Sequence, residues 1–172
     1  MALPVEFERL SAVAFTESHE VGERFSGWPD HLPLLPQMVT TVEIGKRMLS
    51  QVAKNTYSVD IDVKSEGRAL ATGQRARLLG SKRSVEVARM LHNKLLAEAH
   101  AYKGKKPPVR LEESSYVGSN YKPYIFTETD PESADQEAVQ EITIDQLSLV
   151  LRVSKNPRIL EVVDNISLKP RI

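Results

Sequence analysis

The chain has 172 residues, with 23 Lys and Arg balanced by 23 Asp and Glu, and it contains no cysteine. This length suits one domain, or one compact domain with arms. Zero net charge gives no global argument for nucleic acid or an anionic membrane, and the missing cysteine excludes disulfides, thiolate metal sites and cysteine nucleophiles.

From the N-terminus, MALPVEFERL carries Glu6 and Glu8 without a basic leading region, so it does not read as a secretory signal. Phe7, Leu10, Val13, Ala14 and Phe15 suggest a short amphipathic helix over residues 6–14. The run WPDHLPLLPQ follows, with Pro29, Pro33 and Pro36 closely spaced. Proline removes amide donors and fixes φ, so an extended, irregular segment is expected. Trp28, Leu32, Leu34 and Leu35 make it apolar, either as a strap over the core or as an interface that docks on a partner.

A helix is expected over residues 42–55, with Thr40 and Glu43 at capping-box spacing. TYSVDIDV then alternates as a half-buried strand, and residues 69–79 form a second, antiparallel to it. The clearest element is SVEVARMLHNKLLAEAHAY, residues 84–102. Ser84 is placed to cap it, and at about 100° per residue Val87, Ala88, Leu91, Leu95 and Ala99 share one face. Gly104, Pro107 and Pro108 end it.

Beyond it, residues 109–117 and 121–127 read as strands around a turn at 118–120, and TDPESADQEA as a solvated loop. Residues 142–153 fit a strand with a phase slip at Asp145–Gln146, or a helix capped by Asp145. Asn156 and Pro157 suggest the start of a short helix through Val163, with a last strand at 166–168.

The expected fold is α+β: a small, mostly antiparallel sheet with the long helix 84–102 packed on it, an extended N-terminal arm and a C-terminal extension. The divisions are 1–38 for the arm or strap, 39–103 for the core, and 104–172 for the extension with strands and a short helix. Charge is segregated along the chain. Residues 64–106 carry eleven basic residues against three acids, a net of about +8, and residues 112–141 a net of about −7. The two segments either face one another or leave the basic one for phosphate.

No catalytic constellation is visible. His19, His31, His92 and His100 form no i, i+4 pair, so no metal site is expected. There is no G-x-S-x-G elbow. GSKRS at Gly80 offers an anion site at a helix start, with Lys82 and Arg83 beside it. No cofactor is implied. No run of about 18 apolar residues exists to span a membrane.

Residues 42–101 resemble a K-homology RNA-binding module. IGKRM at Ile44 matches its loop, VAKNTYSVDIDV its helix-to-strand passage, and RLLGSKRSVEVARMLHNKLL its last strand and helix. The resemblance implies that Gly45, Lys46 and Arg47 approach a single-stranded nucleic-acid backbone, with bases in an adjoining groove.

Absent chemistry, arm-like ends and segregated charge together lead us to expect a non-enzymatic structural or assembly subunit. It would self-associate or join other protein subunits, in a reducing cytoplasm or a virion. The alternative is the nucleic-acid-binding module.

Overall fold

The computed structural model describes residues 6–69, 75–102, 104–111, 121–127 and 139–170. The elements are β1 (Glu8–Phe15), β2 (Arg24–Phe25), β3 (His31–Thr40), α1 (Val42–Ala53), β4 (Val59–Ala69), β5 (Arg75–Leu79), α2 (Lys82–Ala101), β6 (Arg110–Leu111), β7 (Tyr124–Thr127), β8 (Val139–Ile144), β9 (Gln146–Lys155) and β10 (Arg158–Ser167).

These strands make one sheet in the order β2-β10-β9-β1-β3-β7-β5-β4-β8, with β6 paired to β3, and every strand pairing is antiparallel. Both helices lie on one face: α1 packs on β1, β9 and β10, and α2 on β3, β4 and β5. Among the described residues, the opposite face of the sheet carries no helix.

Period-two alternation sorts β1 between these faces. Leu10, Ala12 and Ala14 enter the main core under the helices, with Met48, Leu49, Leu91 and Leu95. Val13 joins a smaller cluster on the open face with Val150 and Leu160, against which Phe15, Phe25 and Trp28 pack. Each fully buried leucine contributes roughly 1.5–3 kcal/mol. The larger cluster therefore carries most of the stability.

The expected small sheet with flanking arms is corrected. Strand makes up about half of the described residues and helix about a quarter, and the sheet curls into a half-barrel. The N-terminal residues are not an arm, because β1 and β3 are inner strands of the sheet. The amphipathic spacing around Phe7 suits a helix, but Leu10, Ala12 and Ala14 are equally a strand pattern, and pairing on both sides decides for the strand. The C-terminal residues are β9 and β10, a hairpin that continues the sheet beyond β1. Asn156 and Pro157 form its turn and open no helix.

Two caps sit away from their expected residues. Thr41 rather than Thr40 caps α1, accepting from the Ile44 amide at 3.2 Å. Ser81 caps α2, accepting from the Ser84 amide at 3.1 Å. Ser84 itself is buried and accepts from the Asp62 amide on β4 at 2.8 Å, tying helix to sheet. Gly104 follows α2 at φ 77°, in the left-handed region that favours glycine. The Gly118–Asn120 turn and the acidic loop at 129–138 fall outside the described residues.

Gly45 lies inside α1, where a Cβ would stand 3.0 Å from a methyl of Leu149 and 3.2 Å from one of Leu10. The glycine lets α1 approach β9 and β1. Gly45→Val should lower unfolding stability by about 1–3 kcal/mol through overpacking, read as a reduced urea midpoint. An unchanged midpoint would show that Gly45 does not set this approach.

Candidate ligand cleft on the open face

β3 carries Pro33 and Pro36, and its register against β1 slips twice in this stretch: Val13 pairs with Pro33, Ala12 with Leu35, and Leu10 with Met38. Proline cannot donate to a ladder, and bulges are where sheets accommodate it. On its other edge β3 meets β7 at a single pair, His31 with Phe126, and meets β6 only from Met38 onward. The edge between them carries no described strand partner.

Side chains occupy that gap. The Tyr121 hydroxyl donates to the Pro33 carbonyl at 2.6 Å, and His92 Nδ1 donates to the Leu34 carbonyl at 2.7 Å. The two rings stack in parallel, 4.1 Å apart and 2° from coplanar. Both residues are buried, at 0% exposure for His92 and 2% for Tyr121. Burial lowers the His92 pKa below its usual value, and the nearby Arg89 charge adds to this against the Leu34 hydrogen bond. Burial raises the Tyr121 pKa. Both side chains therefore sit neutral near pH 7, as donors to the backbone of β3.

Above this gap a cavity of about 200 Å³ opens, bounded by Trp28, His31, Pro33, Tyr121, Lys122 and Phe126, among others. Its walls are aromatic. The His31 ring lies 4.5 Å from Trp28 and stacks at 6.1 Å on Phe126. Phe15 meets His31 edge-on at 6.3 Å. His31 Nδ1 donates to the Pro29 carbonyl at 2.8 Å. A carbonyl only accepts, so the proton sits on Nδ1. Lys122 is exposed at the rim. Asp30, next to His31, pairs with Arg77 of β5 at 2.8 Å, joining the two halves of the sheet at this junction. Among the described residues, no group of three or more His, Asp or Glu side chains is arranged to hold a metal ion.

Most of the residues singled out from sequence lie elsewhere. Gly45, Lys46 and Arg47 are in the body of α1 and form no loop. Lys46 and Arg47 line an outer groove shared with Glu98 and Tyr102 of the second helix, and Arg47 pairs with Glu43 at 2.7 Å. Lys82 and Arg83 occupy the first turn of α2. Leu32, Leu34 and Leu35 belong to the buried core, with exposures of 1%, 0% and 0%, and offer no docking surface. Trp28 lines the cleft, and Leu34 and Leu35 form part of its floor from within the core. His31, Tyr121, Lys122 and Phe126 were not singled out, because the β3–β7 pair that brings them together spans 95 positions of sequence. The only local hint was the clustering of Tyr116, Tyr121 and Tyr124 in the sequence.

No family model matches the sequence, and no curated protein matches it either. Solved structures do. LigT from E. coli superposes with a TM-score of 0.58 at 15% identity, covering 95% of this chain and 99% of its own. A structure described as a phosphoesterase gives 0.57 at 15%, with coverage of 95% and 99%. TT0787 of Thermus thermophilus gives 0.57 at 12%, with coverage of 95% and 100%. The chain has the fold of these three structures. This likeness overturns the expectation of a non-enzymatic structural or assembly subunit and of a virion component, and with it the reading of the chain as no enzyme. That expectation rested on finding no reactive group in the sequence, and it overlooked a cleft built from residues far apart in the chain.

Because His92 is held neutral in the fold, the unfolded chain binds more protons just below pH 6.5. Its contribution to stability is full above that pH and is lost as the pH falls through the depressed folded pKa. Thermal melts from pH 7.5 to 5 should show a decline that is shallower in His92→Gln. The variant should also be less stable at pH 7.5 by about 1–3 kcal/mol, for the Leu34 carbonyl left unsatisfied. Parallel declines in the two proteins would remove His92 from the pH response.

Proposed function

We propose that this protein is a phosphoesterase whose substrate is a nucleotide phosphate ester bound in the open-face cleft. The observation that carries the reading is His31, fixed at the β3–β7 junction by Pro29, inside an aromatic cavity with Lys122 at its rim. The E. coli LigT structures support it, since that protein has been solved with 3'-AMP, with ATP and with phosphate.

The residues take distinct tasks. Trp28 and Phe126 present ring faces on which a base stacks, and such stacking is worth about 1–3 kcal/mol per base. Lys122 places a cation where negative charge grows on the phosphoryl oxygens. His31 Nε2 accepts the proton of the attacking water, and the resulting imidazolium returns it to the departing oxygen. The His92–Tyr121 stack acts as a support, with Tyr121 on the cavity wall. It holds the Pro33 and Leu34 carbonyls, and so sets where β3 presents His31.

The test is hydrolysis of a nucleoside 2',3'-cyclic phosphate and of bis-p-nitrophenyl phosphate, followed by chromatography and absorbance. The intact protein should turn over at least one of them. His31→Ala should lose about 10²–10⁴-fold in kcat while keeping its circular dichroism. Trp28→Ala should weaken 3'-AMP binding by about 1–3 kcal/mol. Absence of turnover in the intact protein, or full turnover in His31→Ala, would overturn the assignment.

A further inference from the structure

The cleft does not end at Trp28. Ser11 and Trp28 also border a second cavity of about 230 Å³, lined further by Gln37, Arg152 and Arg158. Arg152 in turn borders a third, of about 330 Å³, with Arg9, Arg110 and Lys155 on its walls and Glu8 as the opposing charge. The strand register places these residues on one face. Val13 opposes Pro33, Ser11 opposes Val150, Arg152 opposes Leu160, and Arg9 and Arg110 both oppose Val39. Directly opposed residues project to the same side of a sheet. The open face is therefore graded from an aromatic end at His31 to a cationic end at Arg9 and Arg110.

Arg152 stands at the middle of this gradient. It is half-buried, and its guanidinium donates to Gln37 Oε1 at 3.0 Å, which orients the fork across the second cavity. Arg158 borders the same cavity and donates to the Ser26 carbonyl at 3.3 Å. From the pleat of Val13, beside Trp28, to that of Arg9 is four residues of strand, about 14 Å. One phosphate cannot span that distance.

We infer that the cleft holds a second anion subsite at Ser11, Gln37, Arg152 and Arg158, and that the ligand it takes is a nucleotide with two or more phosphates. This rests on the nucleotide-cleft reading and narrows it. The base and first phosphate lie between Trp28, His31 and Lys122. The remaining phosphates run past Trp28 to Arg152, toward Arg9 and Arg110. A planar guanidinium binds phosphate oxygens in bidentate fashion.

Equilibrium binding of AMP, ADP and ATP to the intact protein, by calorimetry without divalent cations, tests the subsite. Affinity should climb from AMP to ATP by about 10–100-fold, the range of one charge-assisted contact. Arg152→Glu should abolish the climb while leaving AMP binding within about twofold, which also reports that the variant is folded. Arg152→Gln should give an intermediate slope. Equal affinity for the three nucleotides would overturn the subsite and leave the cleft reading standing. So would an Arg152→Glu variant that weakens AMP and ATP by the same factor. No binding of any nucleotide would overturn both.

Discussion

The construction of this molecule depends on an interrupted ladder. β3 lies near the middle of the sheet, yet over residues 32–37 its edge toward β7 has no described strand partner. Buried carbonyls there must still find donors, since an unsatisfied one costs about 1–3 kcal/mol. Tyr121 and His92 supply them at Pro33 and Leu34. A continuous ladder would have closed the sheet over this position. Replacing it with side-chain donors keeps the two halves joined below and parted above, and the cavity beside His31 is what the parting leaves.

Proline makes the interruption possible from within β3. Pro33 has no amide hydrogen, so its loss of a ladder partner on the open edge costs nothing on the donor side. The register slips against β1 around Pro33 and Pro36 let the strand turn without breaking. The bulges also put Leu34 and Leu35, adjacent in sequence, both into the buried core, which simple alternation forbids. One strand thus delivers leucines to the core on one side and a histidine to the cleft on the other.

How much of this was legible in the sequence differs by element. Both helices were, because their apolar spacing and stop signals are local: residues 42–55 became Val42–Ala53, and 84–102 became Lys82–Ala101. The break at Asp145–Gln146 was legible as a phase slip, and it divides β8 from β9. β3 was not, because two prolines in ten residues argue against an inner strand, and only the bulges and side-chain donors make one possible. Gly45 was taken for a loop glycine approaching a nucleic-acid backbone, whereas its missing Cβ serves the helix's contact with Leu149 and Leu10. The cleft was least legible of all. His31 meets Pro29 and Trp28 close in sequence, but Phe126 and Tyr121 arrive through the sheet's topology.

Charge shows the same separation between sequence order and spatial order. The chain is neutral overall, and its basic residues crowd into positions 64–106. Yet the cations that border the open-face cavities are Arg9, Arg110, Lys122, Arg152, Lys155 and Arg158, and every one lies outside that crowded segment. Antiparallel pairing of β1, β3, β6, β9 and β10 gathers all of these but Lys122, which precedes β7, from scattered positions onto one surface. Neutrality of the whole therefore says little about the field inside the cleft. There the low-dielectric walls of Trp28, Phe126 and Leu160 screen the guanidinium groups less than water would, and the local sign decides which ligand enters.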